Sequence, residues 1–203
     1  MWHQHPPTTY KSFFASFFSK KEDSSFLLYG PQMPETAELR SATISVLVEN
    51  ESGVLARVIG LFSGRGYNID SLTVAPVERD HSKSRITIVT SGTEMVIEQI
   101  KAQLGRLVPV YRVLDLSREG PHLARELALI KVVGTGTDRQ EALRLADAFR
   151  ARVIDASTES FIFELTGASD KLDAFLDLMR PIGLAEVSRT GVAAIARGKS
   201  TIE

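Results

Sequence analysis

The first regular pattern of apolar and polar positions begins at Ser41. Ile44, Val46 and Val48 are interleaved with Thr43, Ser45 and Leu47, the two-residue period of a strand. Asn50-Glu51-Ser52-Gly53 interrupts it, and Val54, Leu55, Val58, Ile59 and Phe62 then recur at helical spacing. Gly64 and Gly66 predict the end of that helix, because the left-handed conformation of a helix terminus is easiest for glycine. Residues 67–77 are rich in β-formers, residues 78–84 form a charged connection, and Arg85 to Ser91 predicts a third strand. A second helix follows, with Ile97, Ile100, Leu104 and Leu107 on one face and Thr93 or Ser91 as its cap. Pro109 closes it, and residues 110–116 read as a fourth strand. The order β-α-β-β-α-β is the split βαβ, or ferredoxin-like, plan.

Gly120-Pro121 marks a break, after which the order recurs. Glu126 to Val133 is strand-like, residues 134–138 turn, and Leu143, Ala146 and Phe149 predict a helix stripe. Residues 151–156 and 161–165 give two more strands. Leu172, Phe175, Leu176 and Met179 mark a second helix ended by Pro181, and a last β-rich stretch runs through Val187 and residues 192–195. The expectation is an α+β protein of two tandem ferredoxin-like units, residues 41–118 and 123–199, after a flexible N-terminal leader over residues 1–40. Units of about 75 residues bury only a modest core. Each sheet would keep one face and its edge strands uncovered, which favours pairing with another copy.

The leader differs in composition. It holds Pro6, Pro7, Pro31 and Pro34 and one aromatic island, Phe13, Phe14, Phe17 and Phe18, followed by Lys20 and Lys21. A flexible segment, a short docking helix and a targeting signal are the three readings. The short apolar run, the lysines that follow it and the missing A-x-A site speak against a secretory signal. No arginine stands in the island to suggest a mitochondrial presequence. A bacterial-type cytoplasmic location is the resulting expectation.

Across 203 residues, 24 Lys and Arg against 25 Asp and Glu leave a net charge of −1, a poor electrostatic footprint for binding nucleic acid. Without cysteine the chain has no disulfides, thiolate metal sites or cysteine nucleophile. No apolar run approaches the roughly 20 residues that a membrane helix needs. His3, His5, His81 and His122 offer no base–nucleophile pair, and G-x-S-x-G and H-E-x-x-H are missing. His3 and His5 lack a third metal ligand nearby. The turn Gly134-Thr135-Gly136-Thr137-Asp138-Arg139 is a weak phosphate fingerprint, with Arg139 where a third glycine belongs.

Two places carry candidate binding chemistry. In Asn50-Glu51-Ser52-Gly53-Val54-Leu55, a helix N-terminus presents free N–H groups to a carboxylate, and Gly53 lets a ligand approach the backbone. An ordinary cap by Asn50 or Ser52 explains the same residues. In Arg65-Gly66-Tyr67-Asn68-Ile69-Asp70, Asn68 offers both a donor and an acceptor, which suits a zwitterionic ligand; a polar residue at a strand start explains it equally.

Residues 43–77, with Asn50 to Val58, Gly60-Leu61-Phe62, Arg65 to Ile69 and Ser71-Leu72-Thr73-Val74, resemble the small regulatory subunits of acetolactate (acetohydroxyacid) synthase. The resemblance continues through Leu107-Val108-Pro109-Val110, Arg125 to Lys131, Phe149 to Asp155, Lys171 to Phe175 and Ser188 to Val192, covering about residues 42–198. It implies that the first unit is an ACT domain that dimerises and binds the feedback effector, valine, at the dimer interface. Asn50, Gly53, Val54 and Leu55 of one subunit would meet Asn68 and Ile69 of the other. The N–H groups of Gly53 and Val54 would hold the carboxylate, and Leu55 and Ile69 would take the branched side chain. The second unit would engage the catalytic large subunit, which carries thiamine diphosphate, FAD and magnesium; this chain would bind none of them and catalyse nothing alone. Two rivals of other classes are an amino-acid-responsive transcription regulator, which lacks a DNA-reading helix here, and a free-standing enzyme, which lacks a nucleophile, base and cofactor motif.

Overall fold

The computed structural model describes residues 38–77 and 81–202. The Phe-rich island and most of the leader lie outside the described residues, as do residues 78–80 of the charged connection. The first half runs β1 (Arg40–Glu49), α1 (Val54–Arg65), β2 (Ser71–Pro76), β3 (Lys83–Gly92), α2 (Glu94–Leu104) and β4 (Val110–Asp115). The second runs β5 (His122–Val133), α3 (Gly136–Phe149), β6 (Arg152–Ala156), β7 (Ser160–Gly167), α4 (Ser169–Met179), β8 (Leu184–Arg189) and β9 (Ala193–Ala196). Each half builds an antiparallel sheet in the ferredoxin-like order, β2-β3-β1-β4 and β6-β7-β5-β8. The described residues all belong to one compact unit.

Alternation places one face of each sheet against its two helices. Ile44, Val46, Ile86 and Ile88 meet Val58, Phe62, Ile97 and Ile100 in the first core. Ala128, Ile130, Phe163 and Leu165 meet Leu172, Phe175 and Met179 in the second, where the Phe163 and Phe175 rings stand edge to face at 6.1 Å. Gly66, at φ 69°, ends α1 in the left-handed conformation, and Gly64 is accommodated within the helix. Thr93 caps α2, its hydroxyl accepting from the Val96 N–H at 3.4 Å. Thr93→Ala is expected to cost about 1 kcal/mol, read as a lower urea midpoint with unchanged slope. In α3 the buried stripe is Ala142 and Ala146, with Leu145 and Phe149 beside it, and Leu143 points outward at 41% exposure. The small alanines let the helix lie close to the sheet, a role that apolar size alone does not reveal.

The two departures from a plain tandem lie at the junction. β5 is twelve residues long. Glu126–Val133 pairs with β7, whereas His122–Arg125 extends past the second sheet and pairs with β9. The expected final β-rich stretch is therefore two strands broken at residues 190–192. This two-stranded arm lies on the helix-free face of the first sheet, where Leu116, Val192 and Ala194 are buried with Val89, Leu114, Ala124 and Ala196 against them. The arm explains why β1 is buried on both faces from Ala42 to Val48. The first sheet's open face, expected to stay bare, is thus largely occupied from within the chain. An ion-pair network closes the lower edge: Arg40 donates to Glu94 and to the fully buried Asp115, each at 2.7 Å. Burial pushes the Arg40 guanidinium down, but its hydrogen bonds to Glu94 and Asp115 and their charges outweigh it and hold the group above its ordinary value; the Arg40 hydrogen bond in turn holds Glu94 below its own.

Candidate functional site

The strand-to-helix connection after β1 is pinned by the next hairpin. The Asn50 N–H donates to the Ser82 carbonyl at 2.9 Å and the Asn50 amide NH₂ donates to the His81 carbonyl at 2.8 Å. Gly53 sits at φ 89°, ψ −10°, a left-handed position that redirects the chain into α1, and a Cβ on it would meet nothing within 4 Å. Gly53 stands at the cap position of α1, no side chain among the described residues caps the helix, and its first turn holds no acidic residue. An uncapped N-terminus keeps its partial positive charge and its outward N–H groups for an external anion. The ordinary-cap explanation for Asn50 and Ser52 therefore does not describe this helix. Val54 itself is only 4% exposed and its side chain belongs to the core; its N–H makes a long turn contact of 3.5 Å to the Glu51 carbonyl. Leu55 is exposed, and Ile59 one turn later is exposed as well. Ala56, Gly60 and Ser63 continue this outer face without bulk or charge.

Asn68, Ile69 and Asp70 precede β2 rather than lying in it. The Asn68 side-chain NH₂ donates to Asp70 Oδ1 at 2.5 Å, and Ser91 Oγ donates to Asp70 Oδ2 at 2.7 Å. The Asn68 carbonyl accepts from Thr90 Oγ1 at 2.6 Å. These bonds fix an exposed carboxamide at the entry to the strand, with its Oδ1 turned away from the bond to Asp70. Ile69 is half-buried against the first core. The sequence patterns mark neither Asp70 nor Ser91 as a site residue, and Ser91, the alternative cap for α2, instead bonds Asp70; the acid two residues after Asn68 in Asn-Ile-Asp is the signal that marks the network.

Within one chain these two groups stay apart. β1 and β2 run parallel, each pairing antiparallel to β3, so α1 returns from one end of the sheet to the other. Glu49 stands beside Lys83, Ser71 beside Val89 at the opposite end. The twelve residues of α1 separate them by about 18 Å at 1.5 Å per residue. A two-fold partner laid antiparallel along α1 would bring the Gly53 end of one helix to the Asn68 end of the other, twice over. The outer face of α1 and the unpaired edge of β2, where Val74 is 44% exposed, offer the surface for such a contact.

Among the described residues, no group of His, Asp and Glu could hold a metal ion, and no helix is long and apolar enough to cross a membrane.

Comparison with known proteins extends over both halves. Residues 44–112 match the model of the AHAS small subunit-like ACT domain, and residues 125–198 match that of the small subunit of acetolactate synthase. The chain is 51% identical over 156 residues to the acetolactate synthase isozyme 3 small subunit of Salmonella typhimurium, covering 76% of this chain and 94% of that one. A probable acetolactate synthase small subunit from Archaeoglobus fulgidus is 49% identical over 156 residues, covering 77% and 96%. The crystal structure of the acetolactate synthase small subunit from Thermotoga maritima matches with a TM-score of 0.72 at 39% identity, covering 79% of this chain and 99% of that one.

Proposed function

The chain belongs to the acetolactate synthase small-subunit family, and from that premise we propose that it activates a catalytic large subunit and confers feedback inhibition by valine. The observation that carries the effector part is the uncapped N-terminus of α1 at a left-handed Gly53, open to a carboxylate. In this reading two copies pair through their ACT domains. Asn50, Gly53, Val54 and Leu55 of one protomer face Asn68 and Ile69 of its partner. The α1 N–H groups hold the valine carboxylate, the Asn68 amide orients the ammonium end through its free oxygen, and Leu55 with Ile69 covers the isopropyl group. Val54 contributes backbone only. The outer face of α1 and the β2 edge form the dimer contact.

The second half engages the large subunit. Thiamine diphosphate, FAD and magnesium belong to that partner, and this chain stays non-catalytic. The work takes place in the cytoplasm, without nucleic acid or membrane. Valine acts by its differential affinity for two arrangements of the assembly, a coupling of about 1–3 kcal/mol. The test mixes the purified chain with its large subunit and follows acetolactate formation from pyruvate. Activity rises on mixing and falls when valine is added. No rise on mixing rejects the activating role, and a rise insensitive to valine rejects the effector.

A further inference from the structure

The effector site lies on the first half, whereas the surface assigned to the large subunit lies on the second. One contact joins the two within a few residues of Asn68. Ser71 and Thr73 project from β2 onto the helix-free face, where their hydroxyls grip a single residue of the β8–β9 turn. The Val192 N–H donates to Ser71 Oγ at 2.8 Å, and Thr73 Oγ1 donates to the Val192 carbonyl at 2.7 Å. Both main-chain groups of a residue only 8% exposed are thus satisfied by side chains of another sheet. Gly191, at φ 80°, makes the approach possible: a Cβ there would stand 2.8 Å from Ser71 Oγ and 3.3 Å from the Leu72 carbonyl oxygen.

The turn is held equally firmly to the second half. Thr190 N–H donates to the Leu127 carbonyl at 3.0 Å. Arg189 forms a two-pronged ion pair with the buried Glu126 and reaches Asp173 of α4 at 2.6 Å. A cleft of about 620 Å³, bordered by Asp70, Ser71, Glu126 and Arg189, lies beside the contact and leaves space for the turn to shift.

We infer that Ser71 and Thr73, through Val192, are the positioning residues that carry effector occupancy at the start of β2 to the second half of the chain. The inference rests on the valine reading given above. A ligand that closes on Asn68 and Ile69 displaces the start of β2. Ser71 and Thr73 move with it, and the 190–192 turn transmits the displacement to β8 and, through Arg189, to α4.

The experiment compares wild type with Ser71→Ala/Thr73→Val and, separately, Gly191→Ala. Calorimetry on the free chain gives the valine Kd, and the reconstituted holoenzyme gives activation and the valine concentration for half-inhibition. The expected result for both variants is a Kd within about twofold of wild type, full activation, and a half-inhibition concentration raised at least tenfold, about 1.4 kcal/mol of lost coupling. Inhibition like wild type in a variant that binds valine overturns the inference and leaves the effector reading standing. Joint loss of valine binding and activation shows a merely structural contact and also overturns it. A wild-type chain that binds no valine overturns both readings together.

Discussion

Replacing Gly53 by aspartate is expected to leave the chain folded and to weaken valine binding about a hundredfold, roughly 2.8 kcal/mol, so that feedback on the reconstituted enzyme disappears at ordinary effector concentrations. Folding survives because the site has room: no heavy atom lies within 4 Å of the new Cβ. The φ of 89° carries a left-handed penalty of about 1–2 kcal/mol, which aspartate bears better than most residues. Its carboxylate partly offsets that penalty by capping α1 and meeting the helix dipole. On the proposed site, the same bond would occupy the N–H groups offered to the effector and place a like charge where the valine carboxylate would sit. Gly53→Ala serves as control, with the strain but without the charge, and should keep most of the sensitivity. Calorimetry and an inhibition curve read both variants, and undiminished feedback in Gly53→Asp would remove the helix N-terminus from the effector site.

Arg189→Ala is expected to destabilise the fold by about 3 kcal/mol near neutral pH, because it strands the Glu126 carboxylate, 5% exposed, without its cation. Burial alone pushes the Glu126 carboxyl up, and the Arg189 and Ser169 hydrogen bonds with the Arg189 charge bring it below the usual carboxylate range, against a small opposing push from Asp173. Arg189 is correspondingly held far above its ordinary value, chiefly by its hydrogen bond to Glu126. A carboxylate depressed in the folded state contributes stability above its unfolded value of about 4.3, and that contribution is lost as pH falls through the folded value. Wild type should therefore lose stability on acidification below about pH 4.5. In the variant burial prevails and Glu126 titrates higher, so its own contribution changes sign and falls as pH rises from 4 towards 7, and the variant's deficit relative to wild type widens over that range. Denaturant midpoints across that range check the sign, and parallel curves for the two proteins would refute the assignment.

Most of the architecture is legible in the sequence because it obeys local rules. The two-residue period of Ile44, Val46 and Val48, and the helical spacing of Leu172, Phe175, Leu176 and Met179, report burial on one face of one element, and those residues are buried. Thr93 and Gly66 declare helix ends through their own chemistry. What local rules do not carry is a strand serving two sheets. The His122–Arg125 stretch alternates His, Leu, Ala and Arg, too weak a pattern to extend the strand beginning at Glu126, and only its pairing with Ala193–Ala196 makes it β. At the candidate site, Asn50, Gly53 and Asn68 were recognisable from polar chemistry beside a glycine or a strand start. Ser71, Thr73 and Val192 were not, since their bonds span 119 to 121 residues of chain and each looks ordinary in its own segment.

The arm also bears on how such a protein can be rebuilt. Matches ending at residue 112 and resuming at residue 125 suggest two cassettes with a seam between them. The seam is in the wrong place for trading parts: a graft joined there would bring a foreign arm with it, and that arm furnishes the lid of the first half's sheet. Leu114 and Leu116 stay in the recipient, while Ala124 and Ala194 arrive with the donor. Chimeras between relatives should therefore be cut so that residues 114–125 and 190–196 come from the parent of the first sheet, an inheritance that follows the packing rather than the linear order of the gene.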